Sequence, residues 1–268
     1  MRRLIAHPQV KELLPTALVG VVVAAALLVA AIGPWSPLTV RRAESAVAAG
    51  DAEGARALYL QTARWAPTAS ARCEALWNAA QLSAVELGQP QRAVRLLREL
   101  TEQETDGVRA AVALARLAEI LDRDLKRPLR AGPAWEAAAD AHPDHPDAGD
   151  WLLAAAEAWD RGDRDPRAQG VLRRVVANYP ERAHDAELLQ AEELLVGDAA
   201  EAYALYQGVA ADGTDTQVAL ARFGLSVALE RLGDTDAALV ELEEAGLPDE
   251  VWQQRRERME SRAAQAGP

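Results

Sequence analysis

Beyond residue 40 the apolar positions of this chain fall in pairs four residues apart, a small side chain followed by a large one. They are Ala55 with Tyr59, Ala93 with Leu97, Ala131 with Trp135, Ala168 with Leu172, Ala202 with Tyr206 and Ala238 with Leu242. Four residues make about one helical turn, so each pair shares a face. The strict alternation that marks a strand is nearly absent after residue 40, and the chain reads as all-α. Gly50-Asp51, Gly162-Asp163, Gly197-Asp198 and Gly233-Asp234 punctuate these stretches. In each, glycine offers the left-handed conformation that ends one helix and aspartate caps the free amides of the next. Helices are predicted over 37–49, 51–65, 72–87, 91–103, 108–121, 149–161, 167–178, 183–196, 199–211, 216–232 and 235–245. The irregular place is DRDLKRPLRAGPAW, residues 122–135. Pro128 and Pro133 there predict either an enlarged turn or a late start to the next helix.

The small residues of the pairs are separated by 38, 38, 37, 34 and 36 positions. Pro67, Thr105, Pro143, Pro180 and Thr214 close successive units. A period near 34 marks the tetratricopeptide repeat. Trp77 and Trp159 fall on aromatic positions of that repeat's first helix, and Phe223-Gly224-Leu225 approximates its apolar-glycine pair. Residues 40–248 therefore resemble the tetratricopeptide repeat (TPR) family, with about five and a half repeats. The resemblance implies an α-solenoid of helical hairpins over 36–248. Beyond it, 249–268 is polar on most faces, with Trp252 and Met259 as anchors, which suits a C-terminal capping helix and tail over the open end of the array.

Ahead of the repeats stands a basic tail, residues 1–13, and then residues 14–35, LPTALVGVVVAAALLVAAIGPW, uncharged at all 22 positions. At 1.5 Å per residue that run reaches roughly 33 Å, enough for a hydrocarbon core of about 30 Å. It predicts a transmembrane helix, with Pro15 in its first turn, Gly33-Pro34 at its end and Trp35 at the interface. The competing reading is a signal peptide cleaved after Ala31, since Val29-Ala30-Ala31 carries the small residues such cleavage needs. Gly20 and Ala24 form a small-xxx-small pair of the kind that lets membrane helices touch, although alanine-rich spans produce such pairs by chance. Arg2, Arg3 and Lys11 on one side face Arg41 and Arg42 on the other, a slight bias. A short tail before a first apolar helix places the repeats outside the cytoplasm, in a two-membrane bacterium on the periplasmic side of the inner membrane.

Net charge changes the picture of partners. The chain carries −12 in all; Arg2, Arg3, Lys11 and Glu12 give the first 40 residues +2, so the remainder holds −14. An acidic surface repels phosphate backbones, which excludes a nucleic-acid role. Cys73 is the single cysteine, lies between Arg72 and Glu74 on a predicted helix with no histidine at local spacing, and reads as a packed thiol. HPDHP, His142 to Pro146, offers two imidazoles and a carboxylate, the basis of an alternative reading as a metal-dependent protein. A third ligand cluster is missing nearby, and Pro143 fills a repeat-exit position, so a polar loop is the simpler account. No phosphate-cradling glycine loop, GxSxG or HExxH motif occurs, and neither an enzymatic activity nor a cofactor is expected.

Function then lies on a surface. The resemblance implies a concave groove lined by the first helix of each repeat. Carried over by position, that gives Asn78 and Glu86, then Asp150, Glu157, Asp160 and Arg161, then His184 and Glu187, and last Phe223, Glu230 and Arg231. Each alone is as readily solvated helix surface, but the set is acidic. Family members that clamp a C-terminal carboxylate use cations in this groove, which this sequence mostly lacks. The expected partners are neutral or basic protein segments with apolar anchors. The layout of basic tail, membrane helix and repeats is similar to the ancillary subunit of the bacterial protein-translocation channel, and to assembly factors for cytochrome c and for the outer membrane. It implies a membrane-anchored scaffold in secretion, envelope assembly or periplasmic chaperoning. The alternative is a soluble exported binding protein.

Overall fold

The computed structural model describes residues 37–103, 107–163, 165–246 and part of 252–261. The expected membrane segment, 14–35, lies outside the described residues. Among those described, no helix is long and apolar enough to cross a membrane, and no strand occurs.

Among the described residues twelve α-helices follow one another. They are α1 (Pro37–Ala48), α2 (Ala52–Trp65), α3 (Ala69–Gln81), α4 (Pro90–Gln103), α5 (Val108–Glu119), α6 (Pro128–Ala141), α7 (Ala148–Asp160), α8 (Asp165–Asn178), α9 (Ala183–Leu194), α10 (Ala199–Asp212), α11 (Asp215–Leu232) and α12 (Thr235–Glu244). The helices fall into two compact units that divide after Leu125. In the first unit each of α1 to α4 packs on its successor; in the second, each of α6 to α11 does the same, and α9 also meets α11. Neighbours in sequence are thus neighbours in space, as a repeat array requires.

The small-large pairs build the core. Ala55, Ala93, Ala131, Ala202 and Ala238 are fully buried, and Ala168 nearly so. A methyl at these points lets backbones approach, and the larger partner fills the space one turn on. Leu97 and Leu242 have no exposed surface, and Tyr59, Leu172 and Tyr206 are buried. Complete burial of such a side chain is worth about 1.5–3 kcal/mol.

Helix starts follow the capping logic. Asp51 accepts from the Gly54 amide at 2.8 Å, Asp198 from Glu201 at 3.0 Å and Asp234 from Ala237 at 3.1 Å. Thr214 and Gln217 make a reciprocal capping box for α11. Gly50 and Gly233 take the left-handed conformation, at φ 76° and 88°. The Gly162-Asp163 pair differs: Asp163 is left-handed (φ 55°), and Gly162 is needed for space, since a Cβ there would come within 2.4 Å of Leu129 Cδ2.

The proline-rich link corrects the expectation of an irregular hairpin. After α3 the chain adds one π-turn, Leu82–Glu86, closed by Leu87 N–H to the Leu82 carbonyl at 3.0 Å. After α5 it repeats this at Ile120–Asp124, closed by Leu125 to Ile120, also at 3.0 Å. Gly88 (φ 57°) and Lys126 (φ 52°) then occupy the same left-handed place, and Pro90 and Pro128 both open the next helix. The third link is therefore the second link with lysine for glycine. Helix α6 starts on time and runs through Pro133. At the other end of the array, Met259 is buried against Ala238 and Leu242, and Trp252 packs on the same cluster.

Candidate functional site

The second unit carries two adjoining hollows on its first-position helices. One, about 460 Å³, lies between α7, α9 and α11. Its walls are Leu153 of α7, Leu188 and Leu189 of α9, and Leu220, Phe223 and Val227 of α11, with Tyr206 of α10 beneath. The other, about 470 Å³, lies toward α8 and is lined by Leu172, Leu189, Val196 and a row of carboxylates. Glu157, Leu189 and Glu192 line both, so the hollows share a wall and form one groove. Both volumes suit ligand-sized sites, which run from about 300 to 1,000 Å³.

The helices meet here because of one glycine. Gly224 faces Tyr206, and a Cβ on it would stand 2.3 Å from Cε1 and 2.4 Å from Cζ of that ring. With no side chain in the way, the phenol slides under α11 and is only 4% exposed. Burial, and secondarily the negative charge of Glu192, push the Tyr206 hydroxyl up to about 12.

The groove is apolar in its floor and acidic at its rim. Among the described residues six carboxylates line it, those of Glu157, Asp160, Asp163, Asp185, Glu192 and Glu193, and no lysine, arginine or histidine does. Some are engaged: Asp185 accepts from Gln217 at 2.6 Å, Glu193 from Gln169, and Glu157 faces Arg161 at 3.5 Å. Leu220 is 55% and Val196 82% exposed, apolar surface left uncovered by the fold. The cations lie elsewhere. Lys126, Arg127, Arg130 and Arg161 line a separate, open hollow at the start of α6.

Of the residues expected in the groove, the structure brings Glu157, Asp160 and Phe223 to it. Arg161 faces Glu157 from the turn after α7. Asp150 is held at the start of α7 by a two-pronged ion pair with Arg182, at 2.5 and 2.9 Å. His184 sits between Glu187 (3.0 Å) and Asp212 (3.4 Å). Glu230 and Arg231 stand at the end of α11 and line neither hollow. Asn78, half-buried on α3, and Glu86, exposed on its π-turn, belong to the first unit.

Sequence reasoning missed the groove's leucines, Glu192 and Tyr206. Leucine on a helix reads as core, and Tyr206 lies on a second-position helix. The available signal was the Phe223-Gly224-Leu225 step, because a glycine inside a long helix marks a close approach.

The HPDHP loop is a packed corner. His145 accepts the Asp147 amide at its Nδ1 (3.1 Å) and stacks on Trp151 with ring centres 4.5 Å apart, while Tyr179 donates to the Pro143 carbonyl at 3.2 Å. Among the described residues, no group of three or more His, Cys, Asp or Glu is placed to hold a metal ion. Cys73 is fully buried.

No protein-family model matches the sequence, and no curated protein matches it. Solved structures do share the architecture. YrrB, a TPR protein with an unusual peptide-binding site, superposes with a TM-score of 0.52 at 18% identity, over 69% of this chain and 91% of that one. BtubC (BKLC) from P. vanneervenii gives 0.51 at 17% identity, over 84% of this chain and 93% of its own. The described repeats thus have the helical-hairpin fold of a tetratricopeptide-repeat protein.

Proposed function

We propose that this chain is a membrane-anchored scaffold whose helical repeats bind protein segments in the groove of α7, α9 and α11. The observation that carries the reading is the groove itself, an uncovered apolar floor edged by carboxylates. Exposed apolar surface of this kind marks an interaction site. The rim favours neutral or basic segments and disfavours acidic ones. Glu157, Asp160 and Phe223 make the central contacts, while Asn78, Glu86, Asp150, Arg161, His184, Glu187, Glu230 and Arg231 extend the surface or hold its edges. A shared fold with YrrB, itself a TPR protein with a peptide-binding site, is consistent with this use of the surface.

The anchor in this proposal is the uncharged run 14–35, with 1–13 as a cytoplasmic tail, 36–248 as the repeat array outside the cytoplasm and 249–268 as its cap. Such a protein serves envelope assembly, secretion or periplasmic chaperoning at the inner membrane. Site-specific photo-crosslinking in living cells tests the binding surface. Probes at Phe223 and Glu157 are expected to capture polypeptide, and a probe at Gln207, exposed on α10 outside both hollows, is not. Equal capture from all three positions refutes the groove. Protease added to spheroplasts is expected to digest the repeats; their survival until the membrane is opened refutes the orientation. An N-terminus beginning after Ala31 in the mature chain replaces the anchor with the soluble exported form.

A further inference from the structure

The two hollows are not separate sites, and the residues between them say what spans them. On one side Leu220, Phe223 and Val227 offer apolar surface, and on the other Leu172 and Val196 do. Glu157, Leu189 and Glu192 stand on the wall common to both. Glu157 already faces Arg161, whereas Glu192 has no ion pair or hydrogen bond to its side chain among the described residues. Beside it lies Tyr206, 96% buried on its 4% exposure, facing the same hollow. Its hydroxyl has no hydrogen-bond partner among the described residues either. The ring is buried, but the hydroxyl is not among the buried polar atoms left without a partner, so it opens onto the hollow, within reach of a group bound there. An exposed carboxylate without an ion pair, beside a phenol hydroxyl that opens onto the same hollow and with apolar surface on both sides, is complementary to a cation carried between apolar side chains.

We infer that the segment bound in this groove presents one lysine or arginine flanked on both sides by large apolar side chains, the cation meeting Glu192 and the Tyr206 hydroxyl at the shared wall. This rests on the groove being the binding surface and adds what it reads. The cation donates to the Glu192 carboxylate and to the phenol oxygen, and the phenol hydrogen remains free to donate to Glu192. One cation thereby engages both groups at once. The flanking side chains fill the two hollows, and Glu157 adds charge without being the primary contact, because Arg161 competes for it. A glutamate at the central place is rejected, since it would stand among carboxylates with no cation among the described lining residues.

The test uses the full chain in detergent and short fluorescent peptides that differ only in the central residue, Lys, Gln or Glu, between paired leucines or paired serines. The Lys peptide with leucines is expected to bind about 10-fold more tightly than the Gln peptide, with the Glu peptide weaker still. Glu192→Gln is expected to remove most of the Lys-over-Gln preference while leaving Gln-peptide affinity unchanged. Tyr206→Phe, which keeps the ring, lowers Lys-peptide affinity a few-fold. Glu192→Lys reverses the order, so that the Glu peptide binds best, a result that misfolding does not produce. Equal binding of the three leucine peptides, weakened by Phe223→Ala, overturns the cation rule and leaves the groove standing. If no peptide binds, or if Phe223→Ala changes nothing, the groove reading fails and this inference with it.

Discussion

Gly224→Ala separates helix propensity from packing. On propensity alone, alanine for glycine inside an 18-residue helix stabilises by about 1 kcal/mol. At this position the new methyl would lie 2.3, 2.4 and 2.6 Å from three atoms of the Tyr206 ring, all below any normal contact. The ring can yield only toward the hollow, which would break its packing with Ala202, Val209, Ala221 and Leu225. Contacts this short fall in the upper part of the overpacking range, about 2–3 kcal/mol, so after the gain of about 1 kcal/mol in propensity the net effect is destabilisation by about 1–2 kcal/mol. Gly170 in α8 and Gly208 in α10 supply the control, since a Cβ at either meets nothing within 4 Å. Gly170→Ala and Gly208→Ala are expected to stabilise by about 0.5–1 kcal/mol. Urea unfolding followed by circular dichroism resolves the difference. With a slope of about 2 kcal/mol per molar, Gly224→Ala lowers the midpoint by about 0.5–1 M, while the other two raise it. A Gly224→Ala protein as stable as the parent would refute the close approach of α11 to Tyr206, and with it the floor of the groove.

Lys126→Gly relieves a left-handed lysine and is expected to stabilise by about 1 kcal/mol, read as a higher thermal midpoint; Gly88→Lys should lose a similar amount. Glu136→Ala removes the 2.7 Å acceptor of the Trp159 indole and is expected to cost about 1–2 kcal/mol, with Glu136→Gln restoring part of it. Asp51→Ala and Asp234→Ala each remove a helix cap and should cost about 1 kcal/mol in the same assay. Tyr206 has its hydroxyl raised from 10.0 in the unfolded chain to about 12 in the fold, so its contribution to stability is complete below pH 10 and is lost as pH rises from 10 toward 12. Tyr59 and Tyr179, raised mainly by burial, act in the same direction. Tyr206→Phe should therefore flatten, without abolishing, the alkaline fall of the denaturation midpoint.

The sequence by itself determined the all-α class, the hairpin repeat and most helix limits. These follow from local rules: a small-large pair one turn apart, an aspartate after a glycine, a proline that admits only a first turn. Each rule acts within about one turn of the chain, so the order of residues suffices to state it. The same locality explains the misreading of residues 122–135. Two prolines looked disruptive until the π-turn after α3 showed the same backbone with glycine in place of Lys126. The groove was only half visible. Two of its rim carboxylates, Glu157 and Asp160, could be placed by repeat position, and so could Phe223 of its apolar wall. Its leucines could not, because burial is a property of neighbouring helices and the same residue type serves a core and an uncovered floor. Tertiary structure alone decided that Tyr206, from a second-position helix, reaches the groove beneath Gly224, that Glu192 stands beside it without a partner, and that Arg161 turns toward Glu157. Those three facts depend on how far apart helices settle when one side chain is a hydrogen atom, a distance set by packing between residues 18 positions apart rather than by either residue's own preference.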